Sequence, residues 1–357
     1  MKVLRYYTNM FKTLVVNNFR GIKTCSFSDF SRINFFYGKN NSGKSTVLES
    51  LFLLSGISTP IILINENNFR NYSRLTESDL ESFFYKFDFE NQIAFSAQDD
   101  DGEERNINIK MMNKRSVTIS SAELGLQEIG TNAIRKDYGL SYSFSVGNKI
   151  SKSFTMKVRE NISGFSVSIP RINDYKEKYT TVYLPPTFQF SIILNKLSEL
   201  IKNKQIKDII EGLKILSEDV RDITILNNEV YIDIGLPQLV PLKLMGDGMR
   251  KILSILVSLY TCKNGAVLID EIDNGLHYSA ISPLIKLLSE VCKIYNVQLF
   301  ASTHSKEILE QIFNQEEIDL SDFNFYTLFR QNDKTEARLF NGIEAKKAYE
   351  QWGLEIR

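Results

Sequence analysis

A glycine-rich turn lies between an apolar strand pattern and an apolar helix pattern near the start of the chain. The strand is predicted from RINFFYG and the helix from TVLESLFLLSG. Between them, residues 38–45 read GKNNSGKS and fit the P-loop pattern G-x-x-x-x-G-K-[ST], which needs a strand before it and a helix after it. Glycines let the backbone wrap around an anion, and the helix N-terminus adds positive potential. This order of elements predicts a loop that cradles phosphate groups.

Two side chains of the loop carry the expected chemistry. Lys44 supplies a cation for the β- and γ-phosphates of a nucleotide, and the Ser45 hydroxyl is a ligand for Mg²⁺. ATP and Mg²⁺ are therefore the cofactors that the motif predicts. The alternative, an ordinary Gly/Ser turn with an exposed lysine, is disfavoured by the strand and the helix around it. The predicted nucleotide-binding residues of the loop are Gly38, Asn40, Asn41, Ser42, Gly43, Lys44, Ser45 and Thr46.

Three carboxylates follow a second apolar strand pattern in VLIDEIDNGLH, residues 267–277: Asp270, Glu271 and Asp273. Buried carboxylates are unfavourable unless something compensates their charge. The Mg²⁺ that accompanies a nucleotide would do so, since it prefers oxygen ligands. We expect Asp270 to hold Mg²⁺ directly or through water, and Glu271 to act as general base on an attacking water. The alternative is a charged strand end in a surface loop.

A third apolar strand pattern, LFASTHS at residues 299–305, also ends in polar residues. The chain has two histidines, His277 and His304, and both follow such strand ends. We predict that His304 contacts the γ-phosphate or the attacking water, and that His277 has a structural role. Taken alone, His304 would be interpreted as an ordinary loop histidine, but the neighbouring motifs favour the functional interpretation.

The order of elements predicts an α/β fold. Beyond residue 235 helix and strand patterns alternate, which is typical of a parallel sheet with helical crossovers. From roughly 90 to 180 short alternating segments indicate an antiparallel β region, and two amphipathic helix patterns over 190–217 suggest a short helical hairpin. We therefore expect a lobe with the P-loop, an inserted region, and a second lobe with the acidic and histidine motifs, at residues 1–55, 56–234 and 235–357.

Composition excludes several classes of protein. The 357 residues are 43% hydrophobic and 24% charged, as in ordinary globular proteins. Lys+Arg and Asp+Glu both number 43, so any surface for nucleic acid must be local. The three scattered cysteines lack metal-ligand spacing and fit a reducing cytoplasm. The most apolar stretch, residues 51–64, contains Pro60 and is shorter than the roughly 20 residues of a transmembrane helix, so we expect no membrane partner.

Five landmarks occur in order: NNFRGI, GKNNSGKST, MGDGMRKIL, LIDEIDNGLHYS and ASTHS. Together they resemble the ABC-fold ATPase heads of the SMC/RecF type, and most closely the OLD-like stand-alone AAA-family ATPases without a TOPRIM domain. The resemblance covers roughly residues 10–55 and 235–357. It implies a P-loop NTPase of the ABC/SMC-head type, with a mixed sheet, helices on both faces and an insertion between its halves. It also implies an ATP hydrolase whose heads dimerise around ATP.

The resemblance implies further site residues. MGDGMR matches a signature motif that binds the γ-phosphate of the nucleotide on a second subunit, which assigns this contact to Gly246, Gly248 and Arg250. The family often has a serine where Gly246 stands, and this departure weakens the contact. By the same resemblance, Asp273 belongs to a D-loop that crosses the dimer interface, and Arg20 lies near the nucleotide base or phosphates.

The function implied by this resemblance is that of a motor or sensor subunit. It would act as a homodimer or larger homo-oligomer with a separate effector, a nuclease or a toxin, in DNA repair or phage defence, and DNA is a further candidate partner. Alternatives are the nucleotide-binding subunit of an ABC transporter, a scaffold that binds ATP and hydrolyses it slowly, and a small-molecule kinase. The NFRG and MGDGMR segments disfavour the transporter, and Glu271 disfavours the scaffold.

Overall fold

The computed structural model describes most of the chain. The described residues are 10–60, 62–63, 76–112, 115–119, 133–161, 164–170, 172, 175–186, 190–332 and 334–352. Their strands are β1 (Thr13–Phe19), β2 (Ile22–Phe27), β3 (Ile33–Tyr37), β4 (Ile93–Gln98), β5 (Glu104–Met111), β6 (Arg115–Ile119), β7 (Ala133–Val146), β8 (Ile150–Asn161), β9 (Gly164–Ser168), β10 (Thr181–Leu184), β11 (Asp222–Leu226), β12 (Glu229–Asp233), β13 (Val240–Pro241), β14 (Ala266–Ile269), β15 (Gln298–Thr303), β16 (Phe323–Gln331) and β17 (Lys334–Asn341). Their helices are α1 (Lys44–Ser55), α2 (Glu77–Glu81), α3 (Ser191–Lys202), α4 (Lys207–Leu213), α5 (Asp247–Thr261), α6 (Tyr278–Tyr295), α7 (Lys306–Phe313) and α8 (Gly342–Trp352). Within these ranges, no helix combines the length and apolar composition needed to cross a membrane.

Six strands form the sheet that carries the predicted motifs, in the order β10-β14-β15-β3-β16-β17. Neighbouring strands are parallel, except that β16 and β17 are antiparallel. The strands β14 and β15 are buried along their whole length, which explains why their sequences are continuously apolar. Because parallel strands end at the same edge of a sheet, the segments that follow β3, β14 and β15 meet there. The predicted parallel sheet is confirmed.

Both faces of this sheet are covered. On one face, Ile269 and Ala301 belong to a core that includes α5, α6 and α7, and α5 also packs against α3 and α4. On the other face, the adjacent residues Leu268 and Phe300 join a second core with α1 and the antiparallel strands. Alternate residues of a strand point to opposite faces, so each strand serves both cores. The helix α1 contacts strands of both large sheets and joins the two layers.

Eight strands form an antiparallel sheet, in the order β2-β1-β4-β5-β7-β8-β9 with β6 paired to β7. Its strands β4 to β9 lie in the region where alternating segments predicted antiparallel structure. Both large sheets combine strands from different predicted regions. The strand β1 of region 1–55 pairs with β4 of region 56–234, and β10 of region 56–234 pairs with β14 of region 235–357. The division into 1–55, 56–234 and 235–357 therefore stays a prediction, and neither large sheet is confined to one of these three regions.

The region between β10 and α5 contains the two predicted helices and, in addition, a small sheet that the sequence did not predict. The two amphipathic helices are α3 and α4, joined by residues 203–206, and both pack against α5. A small antiparallel sheet, β11-β12-β13, follows them and was not predicted. Its strands are short and mostly half-buried, so their apolar alternation is weak, and the third strand ends in Pro241. The small sheet leads through a short turn into the first residue of α5.

Candidate functional site

The P-loop connects β3 to α1 at the carboxyl edge of the six-stranded sheet. Gly38 starts it, and a Cβ atom at this position would lie 2.5 Å from the Leu328 carbonyl oxygen, so the close approach of β16 requires glycine. The Nζ atom of Lys44 donates to the carbonyl oxygens of Gly38 and Lys39, at 2.7 and 2.9 Å. The lysine thus lies across its own loop, where an anion would offer it stronger acceptors.

The P-loop lysine faces the acidic segment that follows β14. Lys44 is buried, with 7% of its surface exposed. Burial lowers the pKa of Lys44 below its ordinary value, and the nearby carboxylates of Asp270, Glu271 and Asp273 act in the opposite direction. The cation expected to bind phosphate and the acidic segment that carries the predicted metal ligand Asp270 therefore share one electrostatic environment, although they lie more than 200 residues apart in the sequence.

The loop fits a bound phosphate chain. The buried hydroxyl of Ser42 has no hydrogen-bond partner among the described residues. The helix α1 has no acidic side chain in its first turn, so its N-terminal amide groups keep their positive potential. Asn40 and Asn41 are exposed on the loop, while Thr46 is buried in the first turn of α1 and Ser45 is half-buried. These placements agree with the residues predicted to surround the nucleotide, whose individual roles stay predictions.

The acidic segment is fixed to the neighbouring strand. Asp270 is 1% exposed and accepts a hydrogen bond from the Ser302 hydroxyl at the end of β15. The hydroxyl of Tyr183, at the end of β10, lies 3.4 Å from its other carboxylate oxygen. No group of three or more His, Cys, Asp and Glu side chains in the described ranges is arranged to hold a metal. Mg²⁺ usually keeps several waters and needs only one or two carboxylates, so the assignment of Asp270 and Ser45 to Mg²⁺ stays a prediction.

Glu271 occupies a turn in which the backbone is already leaving the strand. Its φ angle is 48°, a left-handed conformation that is unusual for a residue other than glycine. Its amide donates to the Ser302 hydroxyl at 2.8 Å, and the next amide, that of Ile272, donates to the Ser302 carbonyl at 3.0 Å. The carboxylate of Glu271 is half-buried. The backbone of the predicted base is thus tied to the end of β15.

The polar end of β15 also contacts the predicted D-loop residue. The Thr303 hydroxyl donates to Asp273 at 2.8 Å, and Nδ1 of His304 lies 3.8 Å from the other oxygen of this carboxylate. The His304 side chain is 51% exposed. A cleft of about 440 Å³ opens beside these two residues and is lined further by Tyr278 and Lys306. His304 therefore lies next to the acidic segment, with half of its side chain exposed, and its predicted contact with the γ-phosphate or the attacking water stays a prediction.

The signature segment opens α5 at the surface. Gly246 has a φ angle of 84° and no atom within 4 Å of a built Cβ, so a serine would have space there but an unfavourable backbone. A Cβ at Gly248 would lie 3.1 Å from the Gly275 carbonyl, which places this turn directly on the acidic loop. Arg250 pairs with Asp247 one turn earlier, and both side chains are exposed. Gly246, Asp247 and the side chain of Arg250 are exposed, and the predicted contact of this segment with a nucleotide on a second subunit stays a prediction.

Arg20 lies on the turn between β1 and β2 and is directed at α1. Its Nε lies 2.9 Å from Oε2 of Glu49, with both side chains buried. Its guanidinium also lies over the rings of Phe19 and Phe83, at 5.4 and 5.2 Å. The structure thus shows a bracing contact to the P-loop helix, and the predicted contact of Arg20 with the nucleotide stays a prediction.

The second histidine has the structural role that we expected. His277 is the N-cap of α6, and its Nδ1 atom accepts a hydrogen bond from the Ser279 amide at 3.3 Å.

One residue that contacts the candidate site was missed by the sequence analysis. Lys251 is buried on α5, and its ammonium group contacts the backbone of the acidic segment. The sequence signal of this contact is a lysine that directly precedes the mostly apolar part of the helix, and it is a weak signal.

Known proteins resemble the chain in sequence and in fold. The "ATP/GTP phosphatase" of Helicobacter pylori is 25% identical over 325 residues, covering 84% of this chain and 87% of that protein. The "DNA replication and repair protein RecF" of Aliivibrio fischeri is 49% identical over 41 residues, covering 12% of this chain and 11% of that protein. The Smc head domain with an extended coiled coil, bound to the C-terminal domain of ScpA derived from Pyrococcus furiosus, has a TM-score of 0.50 at 11% identity. That likeness covers 96% of this chain and 99% of the solved chain, and it concerns the fold.

These similarities confirm three of the predictions made from the sequence. The resemblance to SMC/RecF-type heads, the α/β fold class and the enzyme class of an ATP hydrolase are confirmed. The closer OLD-like resemblance, the effector and the pathway stay predictions. The chain belongs to the family described as "AAA domain, putative AbiEii toxin, Type IV TA system", whose model matches residues 33–310.

Proposed function

We propose that the chain is a Mg²⁺-dependent ATPase whose active form is a homodimer, or a larger homo-oligomer, closed around ATP. One observation carries the proposal: the phosphate loop, the acidic segment and the polar end of β15 meet at one edge of the sheet. Lys44, Asp270 and His304 come from three separate segments. Lys44 lies near the carboxylates of the acidic segment, and this segment contacts the end of β15 through Asp270 with Ser302 and through Asp273 with His304. A buried cation beside carboxylates at this edge suits a ligand that carries both phosphate and metal.

The loop residues bind the phosphate chain. Lys44 exchanges the loop carbonyls for the β- and γ-phosphate oxygens, which are stronger acceptors for an ammonium group. The free amides at the start of α1 and the unpartnered Ser42 hydroxyl donate to the same oxygens. Ser45 and Asp270 would hold Mg²⁺, which when bound neutralises charge on the β- and γ-phosphates.

The acidic segment and β15 act on the water. Glu271 accepts a proton from the attacking water, whose oxygen bonds to the γ-phosphorus while ADP leaves. His304 donates to the γ-phosphate or to this water, and Asp273 orients the imidazole from the other side. Because Ser302 fixes Asp270 and Glu271 from one strand, the metal site and the base keep a constant separation.

A second copy would complete the site. Gly246, Gly248 and Arg250 lie at the exposed start of α5, where free amides and a guanidinium can meet the γ-phosphate held by another head. Asp273 and the cleft beside His304 offer the receiving surface. The resemblance to SMC/RecF-type heads supports this arrangement.

We further propose that the ATPase works in the cytoplasm as a motor or sensor for a separate effector. The family description names a toxin and a toxin–antitoxin system, and the local likeness to RecF suggests DNA repair. A toxin or nuclease in phage defence, or a DNA-repair nuclease, is therefore the proposed kind of effector, and DNA is the second proposed partner. The name of the Helicobacter pylori relative supports hydrolysis of a purine nucleoside triphosphate.

Phosphate release from ATP tests the proposed reaction. Glu271→Gln keeps the size of the side chain and removes the base, so turnover falls at least about 100-fold while ATP still binds. Glu199→Gln is the control, since this exposed carboxylate lies on α3, outside the segments assigned to the site. Near-normal turnover of Glu271→Gln would place the base elsewhere. Binding without hydrolysis by the unchanged protein would favour the scaffold alternative.

A further inference from the structure

A charged side chain lies within the buried part of the signature helix. Lys251 is 7% exposed and lies between the buried residues Met249 and Ile252, directly after Arg250, whose side chain is exposed. Burial lowers the pKa of Lys251, while Asp270, Asp273 and Glu271 act in the opposite direction. A buried ammonium group is unfavourable unless polar groups compensate it, so the contacts of Lys251 require an explanation.

Its ammonium group bridges two consecutive carbonyls of the acidic segment. The Nζ atom of Lys251 donates to the main-chain oxygen of Asp270 at 3.3 Å and to that of Glu271 at 3.1 Å. An ammonium group has three donors and no acceptor, which suits it to several carbonyls at once. The contacts join the signature helix to the backbone that carries the metal ligand and the base.

The backbone of Glu271 is held from two directions. From β15, the Ser302 hydroxyl accepts the hydrogen bond of the Glu271 amide, and from α5, Lys251 donates to the Glu271 carbonyl. A left-handed residue other than glycine persists only where its surroundings determine it. The carbonyl of Glu271 also accepts from the Asn274 amide at 3.0 Å, so loss of Lys251 would loosen the turn without leaving this oxygen unpaired.

We propose that Lys251 is a positioning residue for Glu271, which holds the turn of the acidic segment so that the carboxylate reaches the attacking water. The inference rests on the proposed ATP hydrolysis and adds a residue of α5 to its site. A general base acts only within hydrogen-bond reach of the proton that it accepts. A rotation of the Glu271 peptide would move the carboxylate out of this reach while the P-loop stayed intact.

Three variants separate positioning from general packing. Lys251→Met removes the donors and keeps a similar volume, whereas Lys251→Arg keeps the charge and offers a fork of donors to adjacent carbonyls. Ser258→Ala is the matched control, because Ser258 is buried on the same helix and its hydroxyl donates to the Ser254 carbonyl at 2.7 Å. The measurements are kcat and KM for ATP, the affinity for ATP, and hydrogen exchange of the amides at 270–276.

We expect Lys251→Met to lower kcat at least about tenfold, with KM and the affinity for ATP within about threefold of the unchanged protein, since only the chemical step loses its geometry. Amides at 270–276 should exchange at least about tenfold faster. Lys251→Arg should restore more than about one third of kcat. Ser258→Ala should match the unchanged protein in all four measurements.

The inference is wrong if Lys251→Met lowers kcat no more than Ser258→Ala does, or if its 270–276 amides exchange at the unchanged rate. It is equally wrong if kcat falls only in step with a loss of ATP affinity. If Lys251→Met does not fold, Lys251→Gln takes its place, with the same expectations for kcat and exchange. Absence of ATP turnover in the unchanged protein would overturn the proposed function, and the exchange measurement would still decide whether Lys251 holds the turn.

Discussion

The Ser302 hydroxyl contacts both the predicted metal ligand and the predicted base. It donates to the Asp270 carboxylate and accepts a hydrogen bond from the Glu271 amide. Ser302 is fully buried at the end of β15, between the strand of the P-loop and the strand of the acidic segment. A single hydroxyl therefore sets the position of two functional residues relative to the phosphate loop.

Replacement of Ser302 by alanine should impair both stability and turnover. Ser302→Ala removes the hydrogen bond of the partly buried Glu271 amide and a donor to the buried Asp270 carboxylate, so we expect the free energy of unfolding to fall by about 1–3 kcal/mol. We expect kcat for ATP to fall at least about tenfold, because the base loses its support. Denaturant unfolding and phosphate release check the two effects, with Ser258→Ala as the buried control. A normal kcat in a destabilised protein would contradict the positioning of Glu271 by Ser302.

Replacement of Lys44 should abolish nucleotide binding. Lys44→Ala removes the cation that faces the loop carbonyls, and we expect the affinity for ATP to fall at least about 100-fold because charge-assisted contacts to phosphate are lost. Titration calorimetry with ATP measures this. Lys39→Ala is the control, since Lys39 is an exposed lysine of the same loop. Retained affinity in Lys44→Ala would contradict the assignment of the phosphate site.

The two histidines should respond differently to substitution. His304→Ala should lower kcat about 10- to 100-fold, because His304 lies beside Asp273 at the open cleft. His277→Ala should leave kcat within about threefold and lower the free energy of unfolding by about 1 kcal/mol, since His277 caps a helix.

A double-mutant cycle tests the contact between His304 and Asp273. If Asp273 acts by orienting the imidazole, Asp273→Asn combined with His304→Ala should cost less than the sum of the two single losses in kcat. Additive losses would mean that the two residues act independently.

Alkaline pH should destabilise the fold through its buried thiols. Burial raises the pKa of Cys25 and of Cys292 from 9.0 to about 12, and that of Cys262 to about 11. Above pH 9 the unfolded chain loses these protons while the folded chain keeps them, so stability is complete below pH 9 and falls as the pH rises toward the folded pKa values. Each thiol should contribute about 1 kcal/mol of the loss between pH 8 and pH 10.

Unfolding by urea at pH 8 and pH 10 measures this loss. Cys292→Ala should lose about 1 kcal/mol less than the unchanged protein between the two values, whatever its stability at pH 8. An equal loss in both proteins would mean that Cys292 ionises in the folded state or does not titrate on unfolding.

The sequence predicted which segments meet at the carboxyl edge of the six-stranded sheet, and the reason is geometric. Each motif follows an apolar strand pattern, and parallel strands bring their carboxyl ends together whatever their separation in the chain. Lys44, Asp270 and His304 could therefore be assigned to one site before their strands were paired. The alternating helix and strand patterns beyond residue 235 were equally clear, since both periods are strong there.

Other features depend on contacts that no local pattern records. The bridge from Lys251 to the acidic segment requires the direction of one side chain and the position of a loop about 20 residues later. The same holds for the pairing of Arg20 with Glu49, where a residue assigned to the nucleotide was found against α1. The sheet β11-β12-β13 was not predicted, because its strands are short and bury few residues and their sequences therefore show little apolar alternation.

The central claim, that two heads close around ATP, is tested most directly by the solution mass of Glu271→Gln with and without Mg-ATP, measured by light scattering. This variant should bind ATP and fail to hydrolyse it, so the closed state accumulates. The account predicts a monomer without nucleotide and a dimer, with about twice the 41.1 kDa of one chain, after Mg-ATP is added. An unchanged monomer at saturating Mg-ATP would contradict it.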